Sequence, residues 1–81
     1  MAEMISGAQS RMARALLKWS VNDLCQASGV SSMTVKRIEK GDGIPNAQIA
    51  TVQAIRDAFV ATGKVRFEGD SCVCVAGQDG D

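Results

Sequence analysis

The chain of 81 residues contains no histidine and no tyrosine. Without histidine the commonest general base is missing, and a Ser-His-Asp triad cannot be assembled. The sequence also lacks a phosphate-binding loop and a dinucleotide-binding glycine motif. These absences argue against an enzyme, and we expect neither catalytic residues nor a cofactor.

Aromatic residues and long apolar runs are scarce as well. One Trp and two Phe leave the core to aliphatic side chains and Met. A chain of this length makes one small domain whose core is only marginally stable alone, a condition that dimerisation commonly relieves. The first 23 residues hold no apolar run that could form a membrane span or a signal peptide. We therefore expect a cytoplasmic protein with no membrane partner.

The three cysteines, an odd number, do not form the disulfide framework of a secreted protein. Cys72 and Cys74 are separated by one residue, which raises the alternative of a metal or redox site that could also involve Cys25. Two thiols without a histidine supply half of a tetrahedral zinc site, although a dimer could offer four thiols. We favour buried strand cysteines that act as small apolar filler, and no metal site is expected.

A stretch near the middle of the chain has the pattern of two short helices joined by a tight turn. Ser20 is a favourable N-cap, and Asp23 three residues later completes a capping-box-like pair. Leu24 gives the helix an apolar face. Gly29 is expected to end the helix because glycine accepts a positive φ.

The second helix of this stretch begins after Ser31, another favourable N-cap, and ends at Gly41. Val35 and Ile38, three residues apart, form its buried stripe, and Val30 fits the angle between the two helices. Two helices of roughly 8–10 residues joined by a turn of about 3–4 residues that contains Gly are typical of a helix-turn-helix motif.

If that stripe faces inward, four side chains project outward: Ser32, Met33, Lys36 and Arg37. A helix presented in this way fits the major groove of DNA, where arginine binds guanine O6 and N7 and serine donates or accepts hydrogen bonds. Met33 could press on a thymine methyl group. The alternative is that the basic side chains form only a solvated face. A Ser-capped helix after a glycine-containing turn favours DNA.

The same residues resemble a known family. Leu24-Cys25, Gly29-Val30-Ser31, Val35 and the run 37–41, Arg-Ile-Glu-x-Gly, resemble the DNA-binding domain of Cro/phage-repressor (XRE-like) transcription regulators, especially their small stand-alone members. The match covers about residues 5–63. It implies a mainly α fold, with a four-helix, lambda-repressor-like domain.

The resemblance also implies roles for individual residues. Base-reading positions fall on Ser32, Met33 and Arg37, and phosphate positions on Ser31 and Lys36. The full set predicted to contact DNA is Ser31, Ser32, Met33, Thr34, Lys36, Arg37, Asn46 and Gln48. A structural salt bridge is implied between Arg14 on the first helix and Glu39.

Three residues depart from the family pattern. Val21 stands where the family usually has a glutamine that contacts phosphate, which puts that contact in doubt. Cys25 replaces the usual alanine, and Ser10 stands where an apolar residue is common.

The net charge of zero hides an asymmetry between the two halves of the chain. Residues 1–40 hold six basic and three acidic residues, a net +3, and residues 41–81 hold three basic and six acidic residues, a net −3. A basic half that faces phosphates and an acidic half that faces away suit a DNA-binding protein. Few phosphates can be neutralised, so the affinity of each protomer should be modest.

The helices on either side of the motif are also predicted from capping and spacing. Residues 1–5 are expected to be a loose lead-in, and Ser6 with Gln9 forms a capping box for a helix to about Lys18, with Leu16 on its apolar side. After a turn-rich loop with Pro45, a last helix runs from about Ala47, or more securely Thr51, to Thr62, with Ile49 at the start of its apolar pattern. Asn46 could cap this helix; Asn46 and Gln48 could instead contact phosphates.

The last segment of the chain alternates with the period of strands. Residues 64–68 and 71–75 read as a hairpin with Gly69-Asp70 as a type II′ turn, which sets Phe67 opposite Cys72 and Val65 opposite Cys74. Apolar residues would then lie on both faces, and such a hairpin needs a partner. We expect pairing with a second copy, as the resemblance implies for Cro-like dimers. The expected interface is Val65, Phe67, Cys72, Val73, Cys74 and Val75.

The expected organisation is a helix-turn-helix domain over residues 1–63, a dimerisation hairpin over 64–76 and a disordered tail over 77–81. The favoured function is a homodimeric regulator, most simply a repressor, that reads a palindromic operator in double-stranded DNA of the bacterial nucleoid. The alternative is a protein-interaction module of the antitoxin or anti-activator kind with the same fold.

Overall fold

A computed structural model describes residues 4–43, 45, 47–68 and 72–75. The described residues form four helices followed by one antiparallel hairpin, in the order α1 (Gly7–Leu17), α2 (Val21–Ser28), α3 (Ser32–Lys40), α4 (Ile49–Val60), β1 (Val65–Glu68) and β2 (Cys72–Val75). The predicted fold class, four helices with a C-terminal hairpin, is confirmed.

Serine side chains begin the first three helices. The Ser6 hydroxyl accepts a hydrogen bond from Gln9 N at 3.0 Å, while the Gln9 side chain accepts one from Ser6 N at 2.9 Å. Ser20 and Asp23 form the same reciprocal pair at the start of α2. Each box satisfies two backbone N–H groups that have no partner within the helix. The helix starts predicted at these serines are confirmed.

The core is aliphatic, with one aromatic cluster at its edge. Phe59 is fully buried on α4 and lies between Trp19, at a ring-centroid distance of 5.6 Å, and Phe67, at 5.9 Å. The buried apolar residues come from the segment before α1, all four helices and β1: Ile5, Ala13, Leu24, Val35, Ile38, Val52, Ile55, Ala58, Phe59 and Val65.

Three apolar residues are not where the sequence places them. Ile5 is only 1% exposed and belongs to the core, so the expectation of a loose lead-in is wrong at this residue. Leu16 is 45% exposed and Ile49 is 62% exposed, although both were assigned to buried faces. On α1 the buried stripe runs through Ser10 and Ala13, which turns Leu16 away from the core.

The observed start of α4 lies between Ala47 and Thr51, the two starts expected from the sequence. Gln48 occupies the N-cap, and Ile49 is the first helical residue. Asn46, the expected cap, lies outside the described residues, as do the expected tail at 77–81 and the expected Gly69-Asp70 turn.

The hairpin pairs one residue out of the predicted register. Phe67 lies opposite Val73, and Val65 lies opposite Val75, so three residues rather than two separate the paired Glu68 and Cys72. Directly opposed residues share a face of the sheet, and a shift of one residue reverses the faces. The observed register therefore places Val73 with the apolar residues of β1.

The inner face of the hairpin covers the helices of its own chain. Val65 is 4% exposed, and Phe67 and Val73 pack against the core. Val65 and Phe67, predicted at a dimer interface, thus find their partner within the chain. Cys72 is exposed and Cys74 is half-buried on the opposite face, so their prediction as buried filler is wrong. In the described part of the chain, no helix is both long and apolar enough to cross a bilayer.

Candidate nucleic-acid interface

The outer face of α3 carries the residues expected to read DNA. Ser32, Met33, Lys36 and Arg37 are all exposed, Met33 to 77%. The inner face is buried through Val35, with no exposed surface. Because one face of α3 is buried and the other is exposed, the exposed side chains form a ridge that can enter the major groove of DNA.

The N-terminus of α3 is held by hydroxyl groups. The Ser31 hydroxyl accepts a hydrogen bond from Thr34 N at 3.3 Å and donates one to Thr34 Oγ1 at 3.0 Å. Ser31 is exposed and Thr34 is half-buried. A helix N-terminus attracts anions because its N–H groups point outward and its dipole is positive there. Ser31 can therefore cap the helix and face a phosphate at the same place.

The turn between α2 and α3 is closed by local hydrogen bonds. Gly29 has φ 77° and donates its N–H to Cys25 O at 2.8 Å. The Ser28 hydroxyl donates to Leu24 O and accepts from Val30 N. Because Val30 also packs against the core, the angle between the two helices is set by both packing and hydrogen bonds.

An ion pair connects α1 to the C-terminal end of α3. Arg14 Nη2 lies 2.8 Å from Glu39 Oε1, and Arg14 Nε donates to both oxygens of the same carboxylate. Glu39 is 7% exposed. The hydrogen bonds to the Glu39 carboxylate raise the pKa of Arg14 above its usual value. The structure thus brings together the two residues that the resemblance paired.

Ser10 completes this cluster and was not predicted to do so. It is fully buried, and its hydroxyl donates to Glu39 Oε2 at 2.5 Å. A carboxylate that accepts from a hydroxyl as well as a guanidinium has more of its lone pairs satisfied. One indication of this role is present in the sequence, because Ser10 stands where the family commonly has an apolar residue.

Arg11 forms a second contact that sequence reasoning missed. Its guanidinium donates to Glu39 O and, at 3.0 Å, to Gly41 O, and it pairs with the carboxylate of Asp42. The last carbonyls of a helix lack partners within the helix, and a cation is favourable at that end of the dipole. Arg11 therefore caps the C-terminus of α3 from outside.

The first turn of α1 lies directly against the end of α3. Gly7 N donates to Gly43 O at 2.9 Å, and Ala8 N donates to Asp42 O at 3.3 Å. A Cβ atom at Gly7 would lie 2.1 Å from Gly41 O and 2.5 Å from Ile38 O. Only glycine permits this approach, and nothing in the spacing of the sequence signals it.

Of the six basic residues in the first half of the chain, three lie on α3, and Lys18 lies exposed at the end of α1. Arg11 and Arg14 are engaged in ion pairs with Asp42 and Glu39. The exposed basic side chains of α3 are Lys36, Arg37 and Lys40. The polar ridge and the positive charge therefore coincide.

The start of α4 contributes an exposed amide. Gln48 is exposed at the N-cap, and its side chain makes no capping hydrogen bond. It differs in this from the serines that cap α1, α2 and α3. No cluster of three or more His, Cys, Asp or Glu able to hold a metal ion occurs within residues 4–43, 45, 47–68 and 72–75.

A family model described as helix-turn-helix matches residues 11–59, more than half of the chain. The chain belongs to the XRE-type helix-turn-helix family of DNA-binding regulators. The family expected from residues 24–41 is confirmed. Neither a curated protein nor a solved structure gives a significant match. The matched residues run from α1 through most of α4, and the hairpin lies beyond them.

Two departures of this helix-turn-helix protein have a structural explanation. Val21, at the first position of α2, is half-buried and packs against the core, where a glutamine would be expected to reach for phosphate. Cys25 is likewise half-buried against the core. Both positions add apolar contact to α2.

Proposed function

We propose that this XRE-type protein represses transcription by binding a palindromic operator as a homodimer. The observation that carries the proposal is the exposed ridge of Ser32, Met33, Lys36 and Arg37 on a helix that is tied down at its C-terminal end. Two such helices related by a two-fold axis would enter half-sites one helical turn, about 10 base pairs, apart. A dimer that occupies an operator excludes polymerase, so repressor concentration sets the outcome.

Residues on α3 divide into two roles in this proposal. Arg37, with Ser32 and Met33, reads base edges in the major groove, because a guanidinium can bind guanine O6 and N7 together. Lys36, with Ser31 and Thr34, faces phosphates. Gln48 and Asn46 would contact the backbone at the next phosphates along the groove, and the exposed N-cap position of Gln48 supports this.

The test is a gel-shift series on a duplex selected from a random DNA pool. Arg37→Ala should cost about 1–3 kcal/mol and relax the preference for the selected sequence, whereas Lys36→Ala should weaken selected and random duplexes evenly. Lys64→Ala removes the same charge from an exposed site after α4 and serves as the control. Equal, sequence-blind losses in the Arg37 and Lys36 variants would remove Arg37 from base reading.

A salt titration separates this function from the alternative of a protein-interaction module. DNA binding requires log affinity to fall linearly with log salt, and Lys36→Ala should reduce that slope by about 1. A chain whose affinity for duplex DNA is weak and insensitive to salt would instead be an interaction module.

We propose that a second copy covers an apolar surface that shares Val73 with the interface expected from the sequence. Met12, Ala15, Leu16 and Val73 line an apolar groove between α1 and β2. Met12 is 37% and Leu16 is 45% exposed, so large apolar side chains face solvent there. Exposed apolar patches on small domains commonly mark interaction sites, and a second copy would bury this one.

A further inference from the structure

Cys72 and Cys74 lie side by side on the outer face of the hairpin. The register that turns Val73 inward turns both thiols outward, where Cys72 is exposed and Cys74 is half-buried. Their Sγ atoms are 4.0 Å apart, and neither is in a disulfide. The Cα atoms of two cysteines two residues apart on one strand are near the outer limit of spacing for a disulfide. This spacing favours a metal ion bound by both thiols over a covalent bond between them.

The geometry points to a binding site for a soft, thiophilic metal ion such as monovalent copper, held by the thiolates of Cys72 and Cys74. With the zinc–thiolate bond length of about 2.3 Å as a guide, both sulfurs at this separation can reach one ion. The pair can therefore chelate a single ion. Binding one Cu⁺ releases the two thiol protons to solvent and changes no oxidation state.

The number of ligands selects the class of ion. A structural zinc site takes four ligands, of which this pair supplies two. Soft thiolate ligands select monovalent copper, which is satisfied by sulfur alone. A monovalent ion on two thiolates leaves one negative charge, and Arg66 is the residue directly opposite Cys74 in the sheet.

The strand that carries the thiols is held before any ion binds. Gln9, fully buried in the capping box of α1, donates its side-chain N–H to Cys72 O at 2.9 Å. Val73, between the two cysteines, packs on the core from the other face. A chelate whose ligands are already positioned loses less conformational entropy on binding. The site lies on the hairpin face opposite the apolar groove and is independent of the proposed DNA contacts.

The test titrates the reduced full chain with Cu⁺, without oxygen, against a chromophoric Cu⁺ chelator. One ion should transfer to each chain. Cys72→Ser and Cys74→Ser should each lower the affinity by about 10²–10⁴-fold, because the second thiolate binds as an intramolecular ligand. Cys25→Ser removes a thiol from α2 and should leave the affinity unchanged. Both strand variants alter an outward face, and circular dichroism verifies that they fold.

Three results would overturn the site. The first is no transfer of copper from the chelator to the wild-type chain. The second is equal affinity in the wild type and in either strand variant. The third is one ion for every two chains, which would assign the thiols to a site shared between copies.

Discussion

Gly7 lies where the first turn of α1 crosses the end of α3, and its missing side chain allows the crossing. Gly7→Ala should destabilise the protein by roughly 1–3 kcal/mol, because the new Cβ would meet two backbone oxygens that cannot rotate away. Alanine would otherwise favour the helix. Thermal or denaturant unfolding measures the difference.

Gly41→Ala is the matched control for this clash. Gly41 belongs to the same contact, but a Cβ there meets nothing within 4 Å, and its φ of −97° is open to any residue. This variant should stay within about 0.5 kcal/mol of the wild type. Equal stability of the two variants would contradict the close approach at Gly7.

Glu39 concentrates the contacts between α1 and α3 on one carboxylate. Glu39→Gln should cost about 2–3 kcal/mol, because it leaves Arg14 with a neutral partner and weakens the bond from Ser10. The expected loss is below that of a fully buried pair, since the Arg14 side chain is 21% exposed. Denaturant unfolding at neutral pH provides the measurement.

Asp42→Asn provides the comparison, because it neutralises a carboxylate at the same end of α3 in solvent. The Asp42 side chain is 86% exposed, and exposed ion pairs with Arg contribute little. Its loss of stability should be much smaller than that of Glu39→Gln. If Asp42→Asn lowered the stability more than Glu39→Gln, the contact of Arg11 with Asp42 would be the stronger link between α1 and α3.

At the scale of the elements, the hairpin register determines which β2 side chains stabilise the fold. Val73→Ser should cost roughly 1–2 kcal/mol, because Val73 packs on the core, whereas Cys74→Ser should cost less than half as much. Chemical denaturation of both variants under reducing conditions tests the ranking. The register predicted from the sequence gives the opposite ranking, with Cys74 inside and Val73 outside.

At the scale of the whole molecule, the apolar groove beside α1 predicts how two copies associate. Leu16→Lys should lower the fraction of dimer at a given protein concentration, because it places a charge in the surface that a second copy would cover. Sedimentation equilibrium over a range of concentrations measures the dissociation constant of the dimer.

Ile49→Lys is the control for the dimer experiment. Ile49 is 62% exposed at the start of α4 and does not line the groove, so this variant should associate as the wild type does. Equal weakening by both substitutions would point to a general effect of charge, and a wild-type chain that stays monomeric would exclude the groove as the contact.

The sequence by itself determined the helices and their family, because these depend on interactions between residues close along the chain. A serine cap satisfies an N–H group three residues away, and Gly29 ends α2 by its own positive φ. The spacing of Val35 and Ile38 likewise predicts which face of α3 is buried. From those positions the exposed ridge follows without knowledge of the other helices.

Only the tertiary structure decided how the elements fit together. The hairpin register depends on which face α1 and α4 cover, and alternation along β2 left both registers open to the sequence. The contacts of Gly7 and Arg11 with the end of α3 join residues some thirty positions apart. Local sequence patterns cannot predict these contacts, because their favourable energy exists only once the chain has folded.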